Sequence, residues 1–114
     1  MKDDRVCLHH VRDACARILD YTTSGRDSFM ADPRTQDAVI RNIEIIGEAV
    51  KNLSDELRYA HPDVSWKRTA GMRDRVIHAY FGVDLDLVWE VVGTHVPDLK
   101  RRVEQLLDAS GLTR

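Results

Sequence analysis

Apolar residues recur along this chain at steps of three and four, the spacing that places side chains on one face of an α-helix. The clearest stripe consists of Val39, Ile43, Ile46, Val50, Leu53 and Leu57. Its steps alternate between four and three, which is typical of a helix packed lengthwise on a neighbour. Asp32 and Pro33 precede the stripe as an N-cap acid and a first-turn proline, so we expect one long helix to begin there. Gly47 lies in its middle and suggests close approach of another backbone.

The N-terminal segment carries a second helical stripe. Its members are Cys7, Val11, Ala14, Ile18 and Tyr21. We expect this helix to run from about Asp4 to about Thr23, where Ser24 and Gly25 close it. The residues from Arg26 to Ala31 are expected to form a short polar connection.

A third helix is expected from about Trp66 to about Tyr80, with Ser65 as its cap and Gly71 as a candidate interruption. Asp84 can cap a last helical region, which Pro97 breaks or kinks. No segment shows convincing alternation with the period of two that is typical of a strand. We therefore predict an all-α fold, an antiparallel bundle of four to five helices in a single domain over residues 1–114.

Length, composition and charge limit the class of protein. A chain of 114 residues with 43% hydrophobic and 32% charged residues is typical of one soluble globular domain. Its formal net charge of -2 gives no general attraction to nucleic acid, so any RNA contact must be local. No apolar run approaches the ~18 residues of a membrane span, and no apolar segment follows the charged N-terminus. We expect a cytoplasmic protein without membrane contact, in which Cys7 and Cys15 remain free thiols.

The candidate chemistry is concentrated in the octapeptide from Arg73 to Tyr80. The guanidinium of Arg73 can clamp a phosphate and stabilise the charge of a transition state. His78 can act as a general base or a general acid near neutral pH. Asp74 would hold the His78 ring and favour its charged form, and Tyr80 would position a phosphate or stack on a base.

The spacing within this octapeptide does not converge on one ideal helix. At about 100° per residue, Arg73 and Tyr80 share a face, as do Asp74 and His78, but Arg73 and His78 lie roughly 140° apart. Either the helix is distorted near the site, or a second copy of the chain supplies the missing partner. Both options favour a site at a dimer interface where two motif helices face each other.

Several separated segments resemble the HepT-like family of HEPN domains. They are the stretch 45–49, Trp66, the stretch 71–81 with its Arg-x4-His-x-Tyr spacing, Val88-Trp89 and the stretch 96–99. The resemblance covers about residues 5 to 108. It implies a HEPN-like helical bundle that dimerises, with the Arg and His of both protomers lining one cleft.

The resemblance also implies a function. HepT-like proteins are metal-independent endoribonucleases that act as toxins and need no cofactor. Their usual partner is an MNT-domain nucleotidyltransferase antitoxin, which can transfer AMP groups to the motif tyrosine, here Tyr80. Asp74 is a departure, because family members often have Asn after the arginine. An inactive member is therefore an open alternative.

Other candidate residues surround the motif. Glu48 is either a surface acid or, as the resemblance suggests, a cleft residue that pairs with Arg73 or Arg75. Lys67, Arg68 and Arg75 form a basic cluster that could bind RNA phosphates. The remaining histidines stand apart from other ligand types, so we expect no metal site. Two alternative hypotheses stay open. In the first, the chain is a binding module that holds RNA or a nucleotide, or docks a nucleotidyltransferase, without turnover. In the second, it is a purely structural helical dimer.

Overall fold

The computed structural model describes residues 3–78 and 82–109 of the chain. Helices dominate these residues in the order α1 (Asp4–Tyr21), α2 (Arg26–Ala31), α3 (Pro33–Lys51), α4 (Asp55–Ala60), α5 (Trp66–Ala70), α6 (Met72–Val76), α7 (Leu85–Glu90) and α8 (Val96–Ala109). A two-stranded sheet of β1 (Ile77–His78) and β2 (Gly82–Val83) follows α6, and a π-helical turn (Val91–His95) joins α7 to α8. The prediction of an all-α helical fold is confirmed.

The two long helices α1 and α3 run antiparallel and pack along each other. The Asp4 carboxylate, at the start of α1, accepts hydrogen bonds from the backbone N–H and hydroxyl of Ser54, just beyond the end of α3, at 2.8 and 2.6 Å. Farther along the same pair of helices, Arg17 donates to the side-chain oxygen of Asn42 at 2.8 Å. The Asp32 side chain accepts from the Arg34 N–H, and Pro33 occupies the first turn, so the predicted start of α3 is confirmed.

The predicted stripes form the core between α1, α3 and α8. The fully buried members include Val11, Ala14, Ile18, Val39, Ile43, Ile46 and Val50, and Leu8, Val103 and Leu107 are buried beside them. Tyr21 was predicted in the first stripe but is 41% exposed, because it lies at the end of α1. The segment from Arg26 to Ala31 is α2, so the prediction of a mere polar connection was wrong. This segment packs as a helix because it buries Phe29, whose side chain is 1% exposed and whose ring lies 5.3 Å from the ring of Trp89.

The stripe of the long helix spans two helices in the structure. Helix α3 ends at Lys51, although Leu53 remains buried and Leu57 packs against the core from α4. Ser54 takes an extended backbone and its hydroxyl accepts from the Leu57 N–H, which caps α4 as a new helix. The apolar period continues across this break, and so the period alone did not indicate it.

The third helix was predicted to reach Tyr80, and this was wrong. Gly71 interrupts it between α5 and α6, as suspected, and α6 ends at Val76. Ile77 and His78 then pair antiparallel with Val83 and Gly82. Gly82 has φ +77°, a left-handed conformation that glycine adopts without strain. Ser65 stands at the N-cap of α5 as expected, but its side chain makes no capping hydrogen bond.

The last helical region consists of α7 and α8, which the π turn joins without a loop. Asp84 caps α7 by accepting from the Leu87 N–H at 3.0 Å, as predicted. The buried residues Val88, Val91, Val92 and Val96 lie along this region, and the π turn interrupts the α-helical hydrogen bonding between α7 and α8. Pro97 lies in the first turn of α8 and not inside a continuous α-helix. Within the described residues, no helix is long and apolar enough to cross a membrane.

Candidate functional site

A polar cleft of about 270 Å³ lies between α3 and the junction of α5 with α6. Its lining residues are Glu44, Gly47, Glu48, Lys51, Ala70, Arg73 and Asp74. Helix α5 lies so close to α3 here that a methyl group added at Gly47 would stand only 3.2 Å from the Ala70 carbonyl oxygen. The close backbone approach predicted at Gly47 is therefore confirmed, and it sets the position of the segment that carries Arg73.

Arg73 lies in this cleft with its side chain 48% exposed. Met72 and Val76 are both buried, so the three residues between them on α6 point towards solvent. The Arg73 guanidinium is 3.6 Å from Glu44 through Nε and 3.6 Å from Asp74 through Nη1. Both distances are longer than a hydrogen bond, so the two carboxylates orient the guanidinium and neither takes up one of its N–H donors, which a phosphate could use.

The acidic residues of the cleft differ from the expectation. Glu48 lines the cleft, but its carboxylate pairs with Lys51 at 3.8 Å, and the partner of Arg73 on α3 is Glu44. Asp74 is 83% exposed and pairs with Arg73. No hydrogen bond or ion pair joins Asp74 to His78 within the described residues, because α6 ends between them and the shared helical face is lost.

His78 lies on β1, where strand pairing fixes its backbone. It faces Gly82 across the two-stranded sheet, and the adjoining Asp84 N–H donates to the Val76 carbonyl at 2.7 Å. Side chains alternate along a strand, so Ile77 packs against the core and His78 is exposed. His78 is not among the residues that line the Arg73 cleft. Tyr80, the expected support and modification site, lies outside the described residues.

The basic residues around the motif are all exposed. Arg68 lines a second cleft of about 140 Å³ together with Thr69, His95 and Arg102. Burial, and then the charges of Arg68 and Arg75, lower the pKa of His95 below its ordinary 6.5. Arg68 thus lies in the same cleft as His95, and Lys67 is exposed on the same short helix as Arg68.

Sequence reasoning missed three residues of this region. Glu44 stands on α3 one turn from Glu48, and only the packing of α6 on α3 decides which of the two meets Arg73. Thr69 and His95 are hydrogen-bonded across 26 positions of sequence, and His95 had been read as isolated. No local pattern in the sequence indicates that pairing.

Comparison with known proteins identifies relatives over nearly the whole chain. The family described as "Ribonuclease HepT-like" matches residues 11–106. A protein of Caldanaerobacter subterraneus subsp. tengcongensis, named provisionally as an RNase, is 41% identical over 108 residues, which are 94% of this chain and 96% of that protein. A protein of Thermococcus cleftensis named "Probable ribonuclease HepT" is 48% identical over 100 residues, 87% of this chain and 91% of its own length. No solved structure matches the chain.

Proposed function

Because this chain belongs to the HepT-like ribonuclease family, we propose that it is an endoribonuclease toxin that cleaves RNA without a metal ion. The observation that carries the proposal is the state of Arg73. Its guanidinium is half-exposed in a polar cleft, and two carboxylates at 3.6 Å orient it without taking up its donors. An arginine held in this way can receive a phosphodiester and stabilise its additional charge in the transition state.

The proposed reaction uses the RNA's own nucleophile. The 2′-hydroxyl attacks the adjacent phosphorus, the bond from phosphorus to the 5′-oxygen breaks, and the products are a 2′,3′-cyclic phosphate and a 5′-hydroxyl. His78 takes the proton of the 2′-hydroxyl or gives a proton to the leaving oxygen. Arg73 binds the non-bridging oxygens. Exposed Lys67, Arg68 and Arg75 supply further phosphate contacts along the strand.

The active form in this proposal is a homodimer. In one chain His78 is not among the residues that line the Arg73 cleft, and β1 directs its side chain away from the core. A second protomer can bring its own His78 and Arg73 to the same phosphate, with the α6 segments facing each other. Purified Arg73→Ala and His78→Ala proteins, each inactive alone, are then expected to regain partial cleavage when refolded together. Mixtures that form heterodimers and stay inactive would contradict the shared site.

The proposed partner is an MNT-domain nucleotidyltransferase that acts as the antitoxin. Transfer of AMP to Tyr80 would add negative charge and bulk close in sequence to His78, and so would repel and occlude RNA. Coexpression with such an enzyme is expected to add AMP mass to the wild-type protein and none to Tyr80→Phe. Modification of the Tyr80→Phe protein would place the acceptor elsewhere.

A binding module without turnover is the alternative that one observation favours. Glu44 and Asp74 each lie 3.6 Å from the Arg73 guanidinium, and their charges reduce the positive charge that would stabilise a transition state. Expression in a sensitive host separates the two. A nuclease arrests growth, and either Arg73→Ala or His78→Ala relieves the arrest. A binding module would leave growth unaffected even when unmodified protein binds RNA.

A further inference from the structure

The hydrogen bond between Thr69 and His95 joins helix α5, which precedes Arg73 in the chain, to the π turn between α7 and α8. Thr69 is fully buried on α5, and its hydroxyl oxygen is 2.8 Å from the Ser65 carbonyl oxygen and 3.0 Å from His95 Nε2. A hydroxyl has one hydrogen, and a carbonyl can only accept. Thr69 therefore donates to Ser65 and accepts from His95, which must carry a proton on Nε2.

This bond is the only side-chain hydrogen bond between residues 66–78 and residues 85–109 that the described part of the chain contains. Helices α5 and α6 have five residues each, and neither has a side-chain N-cap. Helices this short are held by tertiary contacts and not by their own propensity. On one side α5 lies against Gly47 of α3, and on the other side His95 holds it.

The π turn places His95 where this bond can form. His95 is the last residue of the turn, which interrupts the α-helical ladder between α7 and α8. One residue more or less in a helix rotates every following side chain by about 100°, so a regular α-helix would direct this imidazole away from Thr69. Local π turns of this kind often occur at functional sites.

From this arrangement we infer that His95 is a positioning residue, which acts through Thr69 to hold the α5–α6 segment so that Arg73 meets the scissile phosphate. The inference rests on the proposed function of Arg73. Among the described residues, the Arg73 side chain has two loose ion pairs and no hydrogen bond, so its direction depends on the backbone beneath it. A small rotation of α5 would move the guanidinium while leaving the core of α1, α3 and α8 intact.

The decisive variants are His95→Ala and His95→Gln, because the Gln amide can donate to Thr69 much as Nε2 does. His95→Ala is expected to lower kcat roughly ten-fold with little change in KM, because misplacement of a catalytic group by about 1 Å has effects of this order or larger. His95→Gln is expected to restore most of kcat and to keep the acidic limb of the pH profile. Thr69→Val should resemble His95→Ala, and Thr23→Val is the matched control, since that exposed hydroxyl donates to the Asp20 carbonyl at the end of α1.

Amide hydrogen exchange provides a readout that does not depend on cleavage. His95→Ala is expected to speed exchange in residues 69–76 but not in α1 or α3, and His95→Gln to leave exchange near that of the wild type. Unchanged exchange and kcat in His95→Ala would overturn the inference. Loss of the acidic limb in His95→Gln would also overturn it, since His95 would then titrate in the reaction itself. If the wild type fails to cleave RNA, the proposed function fails, and the exchange data still decide whether His95 positions this segment.

Discussion

Gly47→Ala tests how tightly the position of α5 depends on its contact with α3. The added methyl group would stand 3.2 Å from the Ala70 carbonyl oxygen and 3.9 Å from its carbonyl carbon. These are backbone atoms, which cannot rotate away like the end of a flexible side chain. Helix α5 must therefore move by a few tenths of an ångström, and Arg73 moves with the segment.

Two opposing contributions determine the stability of this variant. Alanine gains about 1 kcal/mol of helix propensity over glycine, and small overpacking shifts cost about 1 kcal/mol or slightly more. The free energy of unfolding should then change by less than about 1 kcal/mol, which corresponds to a shift in Tm below about 4 °C. The cleavage rate should fall several-fold, because the displacement is passed on to Arg73.

Gly93→Ala is the matched control, because a methyl group there would meet no atom within 4 Å. It should keep the full gain of about 0.5–1 kcal/mol in the free energy of unfolding. Urea unfolding followed by far-UV circular dichroism, together with initial rates of RNA cleavage, measures both properties. Equal stabilisation by the two substitutions, with cleavage unchanged in both, would refute a tight contact at Gly47.

Three further predictions concern charge and protonation. Asp74→Asn should lower KM for RNA about two- to five-fold, the range expected for loss of one exposed competing ion pair, and an unchanged KM would show that Asp74 does not compete for Arg73. The free energy of unfolding should fall as the pH drops from 6.5 towards the lowered pKa of folded His95, because the unfolded imidazole takes up a proton that the folded one resists. Urea titrations at several pH values measure this dependence, and the free energy should change less with pH in His95→Gln. Burial raises the pKa of the Cys15 thiol to about 12, so iodoacetamide should alkylate Cys15 in the native protein only as fast as the chain opens, and rapid labelling would contradict its burial.

Local signals in the sequence predicted the starts of helices well. Asp32 with Pro33, and Asp84, each supply an oxygen or a fixed backbone angle to the first turn that follows, so a few adjacent residues determine the outcome. The core was equally accessible, because a residue such as Val39 or Ile43 reports burial through its period. These parts of the fold depend on neighbours in sequence.

The breaks within helices were not predictable from period. The apolar stripe crosses from α3 into α4. The break covers residues 52–54, where Ser54 has an extended backbone and is held by Asp4 from the start of α1. The end of α6 at Val76 likewise depends on pairing of the next two residues with β2. Both breaks are produced by residues distant in sequence or by strands too short to show alternation.

The sequence pointed to three residues that line one cleft in the structure, but not to their pairings. Arg73, Asp74 and Glu48 do line one cleft, yet the choice of Glu44 over Glu48 as the partner of Arg73 depends on how α6 lies on α3. The placement of His78 on a strand followed from neither spacing nor composition. Its angle from Arg73 on an ideal helix led to two alternatives, a distorted helix or a partner residue from a second copy of the chain. Helix α6 does end at Val76, before His78, and the second copy stays a prediction.

The most direct test of the central claim is cleavage of RNA by the purified, unmodified protein in EDTA, with His78→Ala and Arg73→Ala measured beside it. The account predicts cleavage that survives chelation, leaves 2′,3′-cyclic phosphate ends and disappears in both variants. Intact mass establishes beforehand that no AMP has been added. Cleavage that requires an added divalent ion, or that persists in His78→Ala, would contradict the proposed mechanism, and an unmodified wild-type protein that binds RNA without cleaving it would favour the binding module.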